Sequence, residues 1–140
     1  MTIYFTNRFY KHLIDLQKNK SYAAVLDDIC DYFSDKNIQE LHQTRDIISN
    51  SSGTYSLHKF RVANSVMNKG KSASFRCIGA CFVKDELIVL DTIYPKTGSD
   101  GIENLTKETY KEIATNIKDA LISGSLYTLI LSNKSFKKIL

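Results

Sequence analysis

The sequence predicts an α+β fold, with N-terminal helices packed on a small twisted antiparallel β-sheet and a further helix near the C-terminus. Apolar residues recur at helical spacing near both ends of the chain, whereas the middle alternates between apolar and polar residues with a period of two. The chain has 140 residues, of which 43% are hydrophobic, and this suits a single core. We therefore predict one domain over residues 1–140.

Residues 1–53 are predicted to contain a first strand followed by helices. The segment TIYF at residues 2–5 is rich in β-branched and aromatic side chains, as strands are. A helix is predicted next, with Asn7 as its candidate N-cap, and Ser21 is the candidate N-cap of a second helix. The apolar stripe of the first helix consists of Phe9, Leu13 and Leu16.

Residues 54–96 are predicted to form an antiparallel meander that carries a basic site. The first strand alternates, which places Lys59 and Arg61 on one face and His58 on the other. The second and third strands are separated only by a short polar turn, Lys84 to Glu86, so they are expected to pair antiparallel. The predicted strands are TYSLHKFRVAN at residues 54–64, SASFRCIGACFV at residues 72–83 and ELIVLDTIY at residues 86–94.

The C-terminal region is predicted to hold one helix over residues 104–123. Thr106 is its candidate N-cap and Gly124 its candidate terminator, with apolar residues recurring every four positions between them. The tail at residues 124–140 contains an apolar run that suits either a strand or a docking segment. Residues 34–53 are ambiguous, except that the run SNSSG at 49–53 is typical of a loop.

The composition excludes several classes of protein. No signal-peptide pattern opens the sequence and no apolar run approaches the length of a bilayer span, so we expect a soluble, cytoplasmic protein without a membrane partner. The cysteines Cys30, Cys77 and Cys81 are odd in number, which argues against a disulfide framework. No spaced histidines complete a zinc site around them, so buried packing thiols are expected, and neither a metal nor another cofactor is predicted.

Positive charge is concentrated in the centre of the chain. No Asp or Glu occurs from Ile47 to Lys84, and this segment carries six cations, whereas the whole chain has a net charge of +4 and the remainder is therefore −2. Such a basic block is typical of a protein that binds a polyanion, although charge runs also serve simply to solvate a surface. The six cations are Lys59, Arg61, Lys69, Lys71, Arg76 and Lys84.

The segment NKGKSASFR at residues 68–76 has the Gly-Lys-Ser end of a nucleotide phosphate loop but not the rest of it. That motif requires a glycine five residues before Gly70, where this chain has Ser65. The motif also opens a helix at its lysine, whereas a strand is predicted after Lys71. We therefore expect these cations to face a phosphate other than that of a bound nucleotide.

Five segments together resemble the RelE/HigB branch of the RelE/ParE toxin superfamily, over about residues 54–120. In chain order they are LHKFRVAN, NKGKSASFR, a turn, LIVLDTIYPK and ENLTKE. They match a basic strand, a Gly-Lys-Ser loop with an aromatic-arginine pair, an apolar strand ending in Tyr-x-Lys and a helix start. Ala73 and Ser74 stand where the family often has two glycines, and the tail after Gly124 has no counterpart in the family.

The resemblance implies a RelE/ParE-like fold and a type II toxin that cuts messenger RNA, commonly on the ribosome, and that is neutralised by a cognate antitoxin. Metal-free RNA cleavage needs deprotonation of the ribose 2′-OH, stabilisation of the phosphorane charge and protonation of the leaving 5′-oxygen. The basic block offers cations and no acidic metal ligands, which suits this route. Two alternatives stay open: a ParE-like inhibitor of DNA gyrase, and a relative that binds RNA without cutting it.

Four residues are predicted to be catalytic. Arg76 is expected to clamp the scissile phosphate, Lys71 to stabilise charge or donate a proton, and Tyr94 to position the nucleophile or stack on a base. Lys96 is expected to share a strand face with Tyr94. The predicted RNA-binding residues are Lys59, Arg61 and Lys69. Structural interpretations remain open for three of these residues: an ion pair for Arg76, a core position for Tyr94 and an ordinary loop position for Lys96.

Overall fold

The sheet at the centre of the molecule is larger than the sequence predicts. In the computed structural model, which describes residues 1–43, 47–51, 55–67, 74–96 and 105–139, seven strands form one sheet with the order β2-β3-β4-β5-β1-β6-β7. The strands are β1 (Thr2–Thr6), β2 (Ile47–Ser51, backbone only), β3 (Tyr55–Val62), β4 (Phe75–Phe82), β5 (Leu87–Pro95), β6 (Leu126–Ile130) and β7 (Ser135–Lys138). The helices are α1 (Asn7–Gln17), α2 (Val25–Ser34), α3 (Ile38–His42) and α4 (Lys107–Ser123).

The α+β class and the central meander are confirmed. β3, β4 and β5 pair antiparallel in chain order, and the Lys84–Glu86 turn is closed by Glu86 in the left-handed conformation. The sheet is mostly antiparallel, as expected, but β1 lies beside β5 and runs parallel to it. β6 pairs with the other edge of β1, so that the hairpin formed by β6 and β7 extends the sheet further.

Helix ends follow the local capping signals in some places and not in others. α4 begins after Thr106, whose side chain accepts from the Thr109 N–H, and ends at Gly124 in the left-handed conformation, as predicted. α1 is capped by Thr6 rather than Asn7, since the Thr6 hydroxyl accepts from the Phe9 N–H. α2 begins at Val25, and the predicted cap Ser21 lies instead in a short 3-10 turn.

Residues 34–53 contain two elements that the sequence did not reveal. α3 carries a reciprocal capping box, in which Asn37 accepts from the Glu40 N–H and Glu40 accepts from the Asn37 N–H. β2 pairs antiparallel with β3, so the loop predicted at residues 49–53 is wrong for residues 49–51. The last two of those five residues lie outside the described ranges.

The two faces of the sheet are covered by different helices. On the α1 face, the side chains of Phe5, Phe60 and Phe75 pack with α1 and α2. On the α4 face, Leu57, Ile78 and Val89 pack against Ile113 and Ile117 of α4. Burying a large apolar side chain contributes about 1.5–3 kcal/mol, so both layers stabilise the fold.

The C-terminal tail is part of the core. Its apolar run forms β6, and the Tyr127 ring stacks on Phe5 and on Tyr10 at centroid distances of 5.2 and 4.6 Å. Phe136 of β7 meets the same Phe5 ring edge-on at 5.4 Å. The tail therefore covers β1, which would otherwise be an exposed edge of the sheet.

The three cysteines of the chain all lie within the described residues and are buried and unpaired, as predicted. Burial raises the pKa of the Cys30 thiol to about 11 and that of the Cys81 thiol to about 12. They are therefore protonated packing groups at neutral pH.

A bulge in β5 changes which side chains reach α4. The β4–β5 register shifts between Ile78 and Gly79, which face Thr92 and Leu90 respectively, so Asp91 is the extra residue. Period two would place Asp91 on the face opposite Tyr94, yet Asp91 accepts a hydrogen bond from Asn116 of α4, and Tyr94 also packs in the α4 layer. The bulge thus brings both side chains to the α4 face.

Replacing Gly79 with alanine is expected to lower the free energy of unfolding by about 2–3 kcal/mol, because the new methyl group would overpack the bulge. A Cβ atom there would lie 2.7 Å from the Val89 carbonyl oxygen and 2.9 Å from Leu90 Cδ2. Urea unfolding monitored by circular dichroism measures the change. Gly124→Ala is the control: its Cβ meets open space but its φ is +74°, so a loss of only about 1 kcal/mol is expected. Equal losses in the two variants would contradict the packing argument.

No helix in the described part of the chain is both long and apolar enough to cross a membrane.

Candidate nucleic-acid interface

Three of the predicted site residues lie side by side across the sheet. Arg61 of β3 faces Arg76 of β4, and Arg76 faces Tyr94 of β5, in the antiparallel register of both strand pairs. Directly opposed residues share one face, with Cβ atoms about 5 Å apart. We call these three residues the cross-strand row. It lies at the end of the sheet where β3 and β5 finish and β4 begins.

Arg61 and Lys59 lie on the same face of β3, as the alternating pattern predicts. Leu57 of that alternation packs in the α4 layer, whereas the intervening Phe60 packs in the α1 layer. Arg61 is exposed and Lys59 is half-buried. These two cations therefore form the outer, solvent-facing part of the interface.

Arg76 lies beneath the surface. Arg76 is only 3% exposed. Its Nη1 group donates to the Ser74 hydroxyl and, at 3.5 Å, to the Phe75 carbonyl. The planar guanidinium fork is thus held in one orientation by Phe75 and by Ser74, the residue that precedes β4. Arg76 contributes a fixed positive charge next to Tyr94, and its predicted direct clamp on a phosphate remains a prediction.

Tyr94 is the residue with the most unusual environment. It is 4% exposed, and its hydroxyl has no hydrogen-bond partner among the described residues. Burial, followed by the neighbouring Tyr110, raises the pKa of Tyr94 to about 12, although Arg76 and Arg61 oppose this change. The phenol is therefore protonated at neutral pH and can act as a hydrogen-bond donor but not as a general base.

Lys96 lies next to the cross-strand row but not on a strand. β5 ends at Pro95, so the expectation that Lys96 shares a strand face with Tyr94 is wrong. Instead, Lys96 occupies a bend in which its backbone N–H donates to the Ser74 carbonyl at 3.2 Å. This bond ties the end of β5 to the residue that precedes β4. Lys69 and Lys71 lie outside the described residues.

His58 faces away from this interface, as the alternation predicts, and forms a buried network that the sequence did not reveal. The Ser56 hydroxyl lies 2.6 Å from His58 Nε2 and 3.0 Å from His42 Nδ1, which joins β3 to α3. Burial, and to a lesser extent His42, lowers the pKa of His58 to about 4. His58 is therefore neutral in the folded protein at neutral pH.

Acidification from pH 6.5 to pH 4 is expected to destabilise the protein by roughly 2–3 kcal/mol through His58. The ring binds a proton near pH 6.5 in the unfolded chain but only near pH 4 in the folded one. The stabilisation is thus complete above pH 6.5 and is lost as the pH falls toward 4. Urea unfolding across this range measures it. In the His58→Gln variant, the free energy of unfolding should depend less steeply on pH. A smaller dependence remains from His12, whose pKa is also lowered. If the stability of this variant fell with pH as steeply as that of the unmodified protein, His58 would not be the group responsible.

A second buried polar cluster surrounds Asp91. Oδ1 of Asp91 accepts from the Thr6 hydroxyl at 2.7 Å and from the Asn116 amide, while Oδ2 accepts from the Thr92 hydroxyl at 3.1 Å. Nε of Arg8 lies 3.5 Å from Oδ2. The cluster joins β5 to the first turn of α1 and to the middle of α4. In the sequence, the one sign of this cluster is that the charged Asp91 stands within an apolar strand.

The described residues include no group of three or more His, Cys, Asp or Glu side chains arranged to hold a metal ion. A comparison of the chain with protein-family models and with curated proteins found no match.

Proposed function

We propose that the protein is a type II toxin that cuts messenger RNA on the ribosome without a metal ion and is neutralised by a cognate antitoxin. The observation that carries the proposal is the buried hydroxyl of Tyr94, which lacks a partner among the described residues and stands in one row with two arginines. Leaving a buried donor unpaired costs about 1–3 kcal/mol. In this proposal, RNA binding opens a path to this buried hydroxyl, and a phosphate or ribose oxygen then accepts from it.

RNA binding is assigned to the solvent-facing cations. Arg61 and Lys59 lie two residues apart on one strand face, about 6.6 Å along the strand, which is close to the spacing of successive phosphates in an extended single strand. In this proposal they hold the phosphates that flank the scissile bond, and Lys69 adds a further contact. The absence of acidic residues from Ile47 to Lys84 leaves this attraction unopposed in the sequence nearby.

Cleavage is assigned to the inner residues. The 2′-OH gives its proton to a water molecule and attacks the phosphorus in line, and negative charge develops on the non-bridging oxygens. The P–O5′ bond then breaks, which leaves a 2′,3′-cyclic phosphate. The fixed Arg76 charge and the Tyr94 O–H donor stabilise that charge, and both act in a low-dielectric environment where they count for more than in water. Lys71 or Lys96 then donates the proton to the leaving 5′-oxygen.

Binding to a single-stranded RNA is expected to weaken steeply with salt, and Arg61→Gln should reduce the slope of log affinity against log salt by about one. The reason is that each cation–phosphate contact releases one condensed counterion. Fluorescence anisotropy at several salt concentrations measures the slope. Lys84→Gln is the control, because Lys84 belongs to the same basic block but lies beyond the opposite end of β4. Equal changes of slope in the two variants would argue for diffuse attraction rather than a phosphate contact.

Cleavage itself is tested by inducing the protein in bacteria and mapping new 5′ ends of transcripts, and by incubating pure protein with RNA and a chelator. The proposal expects growth arrest, cut transcripts and chelator-resistant cleavage. Arrest with intact transcripts and DNA damage would indicate the gyrase inhibitor instead. Salt-dependent binding without new 5′ ends would indicate the relative that binds RNA without cutting it.

A further inference from the structure

A small pocket lies beside the end of β5 on the side of α1. Its volume is about 310 Å³, which is enough for a nucleobase, and His12 and Asp15 are among the residues that line it. Its walls also contain apolar surface from Leu16, Ile93 and Pro95, against which a flat ring can pack. Tyr94 contributes to the wall as well, although its side chain packs in the α4 layer, so the pocket and the cross-strand row lie on opposite faces of the sheet and approach each other at the end of β5. The complete lining is His12, Asp15, Leu16, Thr92, Ile93, Tyr94 and Pro95.

The backbone of β5 determines which nitrogen of His12 is free to donate. The Ile93 N–H donates to His12 Nδ1 at 3.4 Å, so the neutral ring carries its proton on Nε2. Burial lowers the pKa of His12, which keeps the ring neutral at pH 7. Asp15 is one helical turn further on and is close enough to influence the charge of His12. The pocket thus offers one N–H donor beside two carboxylate acceptors.

This pattern of donors and acceptors selects one nucleobase. The Watson–Crick edge of guanine presents two adjacent donors, N2–H and N1–H, followed by the acceptor O6. Adenine and cytosine each present a single amino donor next to a ring acceptor, and uracil presents one donor between two acceptors. Only guanine therefore places two adjacent donors against a carboxylate while an acceptor faces the neighbouring N–H group.

We propose that this pocket binds an unstacked guanine of the RNA substrate, with Asp15 accepting from N1–H and N2–H and with His12 Nε2–H donating to O6. The inference rests on the proposed RNA-cleaving function, since it names the base that would lie next to the scissile phosphate. Lys18 lies 3.5 Å from the Asp15 carboxylate in an exposed pair. Such a pair is worth little in water, so guanine can displace it.

The test uses uridine heptamers with one central guanine, adenine or hypoxanthine, all with 2′-O-methyl riboses so that no cleavage can occur. Fluorescence anisotropy with the full-length protein is expected to show about ten-fold tighter binding of the guanine oligomer than of the adenine oligomer. The hypoxanthine oligomer, which lacks the N2 amino group, should bind more weakly than the guanine oligomer. Asp15→Asn should reduce the preference for guanine over adenine to about two-fold or less.

Asp35→Asn is the matched control, because the Asp15 and Asp35 side chains are 74% and 79% exposed and both variants remove one negative charge. Through that charge, Asp35→Asn should bind every oligomer, and Asp15→Asn the adenine oligomer, somewhat more tightly. Only Asp15→Asn should lose affinity for the guanine oligomer and so change the ratio between guanine and adenine. Equal binding of the guanine and adenine oligomers by the unmodified protein, or a full preference in Asp15→Asn, would overturn the guanine pocket alone. Failure to bind any oligomer would overturn RNA binding, and with it both proposals.

Discussion

Replacing Tyr94 with phenylalanine is expected to lower the rate of RNA cleavage about 100-fold or more, because one donor that stabilises developing charge is lost. The same substitution is expected to leave the protein at least as stable as before. The hydroxyl is buried without a partner among the described residues, so removing it relieves a desolvation cost rather than breaking a hydrogen bond. Few substitutions at a buried position combine these two effects, which makes this one informative.

The measurements are single-turnover cleavage of a defined RNA and urea unfolding of the same protein. Tyr55→Phe is the matched control, since Tyr55 begins the same strand that carries Arg61, also contacts the α4 layer, and lies about 20 Å from the cross-strand row. It should cleave at the unmodified rate. Unchanged cleavage by Tyr94→Phe would remove Tyr94 from the mechanism. A loss of stability above about 1 kcal/mol would mean that the hydroxyl has a partner in the folded protein.

Burial also determines which substitutions can test Arg76. An alanine at a position that is 3% exposed would leave a cavity and release the Ser74 hydroxyl, so lost activity could reflect lost structure. Arg76→Lys keeps the positive charge and most of the volume but loses the planar fork. Comparing cleavage by this variant with its stability therefore separates the role of the guanidinium geometry from that of the charge.

The elements that could be predicted are those specified by neighbouring residues. The meander follows from period-two alternation and a tight polar turn, and α4 follows from Thr106 and Gly124 at its two ends. The parallel pairing of β1 with β5 joins residues about 85 positions apart, and no local pattern encodes it. β6 and β7 pack on Phe5 through Tyr127 and Phe136, which is again a distant contact.

The candidate site also has features that neighbouring residues specify and features that depend on distant contacts. Alternation along β3 predicts that Lys59 and Arg61 share a face, because that needs only the strand period. Arg76 lies between Arg61 and Tyr94 because of the register of two strand pairs. This register cannot be predicted from the alternation within each strand. The bulge at Asp91 interrupts the alternation of side chains along β5. Counting by twos from Asp91 therefore places Tyr94 on the face opposite Asp91, whereas both lie on the α4 face. The burial of Arg76 and Tyr94 follows from how α4 and the sheet pack, and therefore also escapes a sequence pattern.

Replacing Asp91 with alanine is expected to lower the free energy of unfolding by about 3 kcal/mol, the lower end of the cost of removing one partner from a buried charge pair. The carboxylate is fully buried and accepts hydrogen bonds from Thr6, Thr92 and Asn116, so its removal leaves these donors unsatisfied. Arg8 moderates the cost because its side chain is 34% exposed and can be hydrated. Urea unfolding at pH 7 measures the change.

The Asp91→Asn variant separates the effect of the side chain's shape on stability from the effect of its charge. The known partners of Asp91 approach it as donors, so the amide NH₂ of an asparagine would point toward Arg8 Nε or toward Thr6 and Asn116, each of which also donates. A nearly isosteric change should therefore still cost about 2 kcal/mol. Asp119→Ala, which removes an exposed carboxylate from α4, should change stability by no more than about 0.5 kcal/mol. Losses below about 1 kcal/mol in both Asp91 variants would show that the cluster does not hold α4 over the sheet. That outcome would also weaken the case for a fixed environment around Tyr94, since α4 carries Tyr110 and the side chains that pack beside the Tyr94 ring.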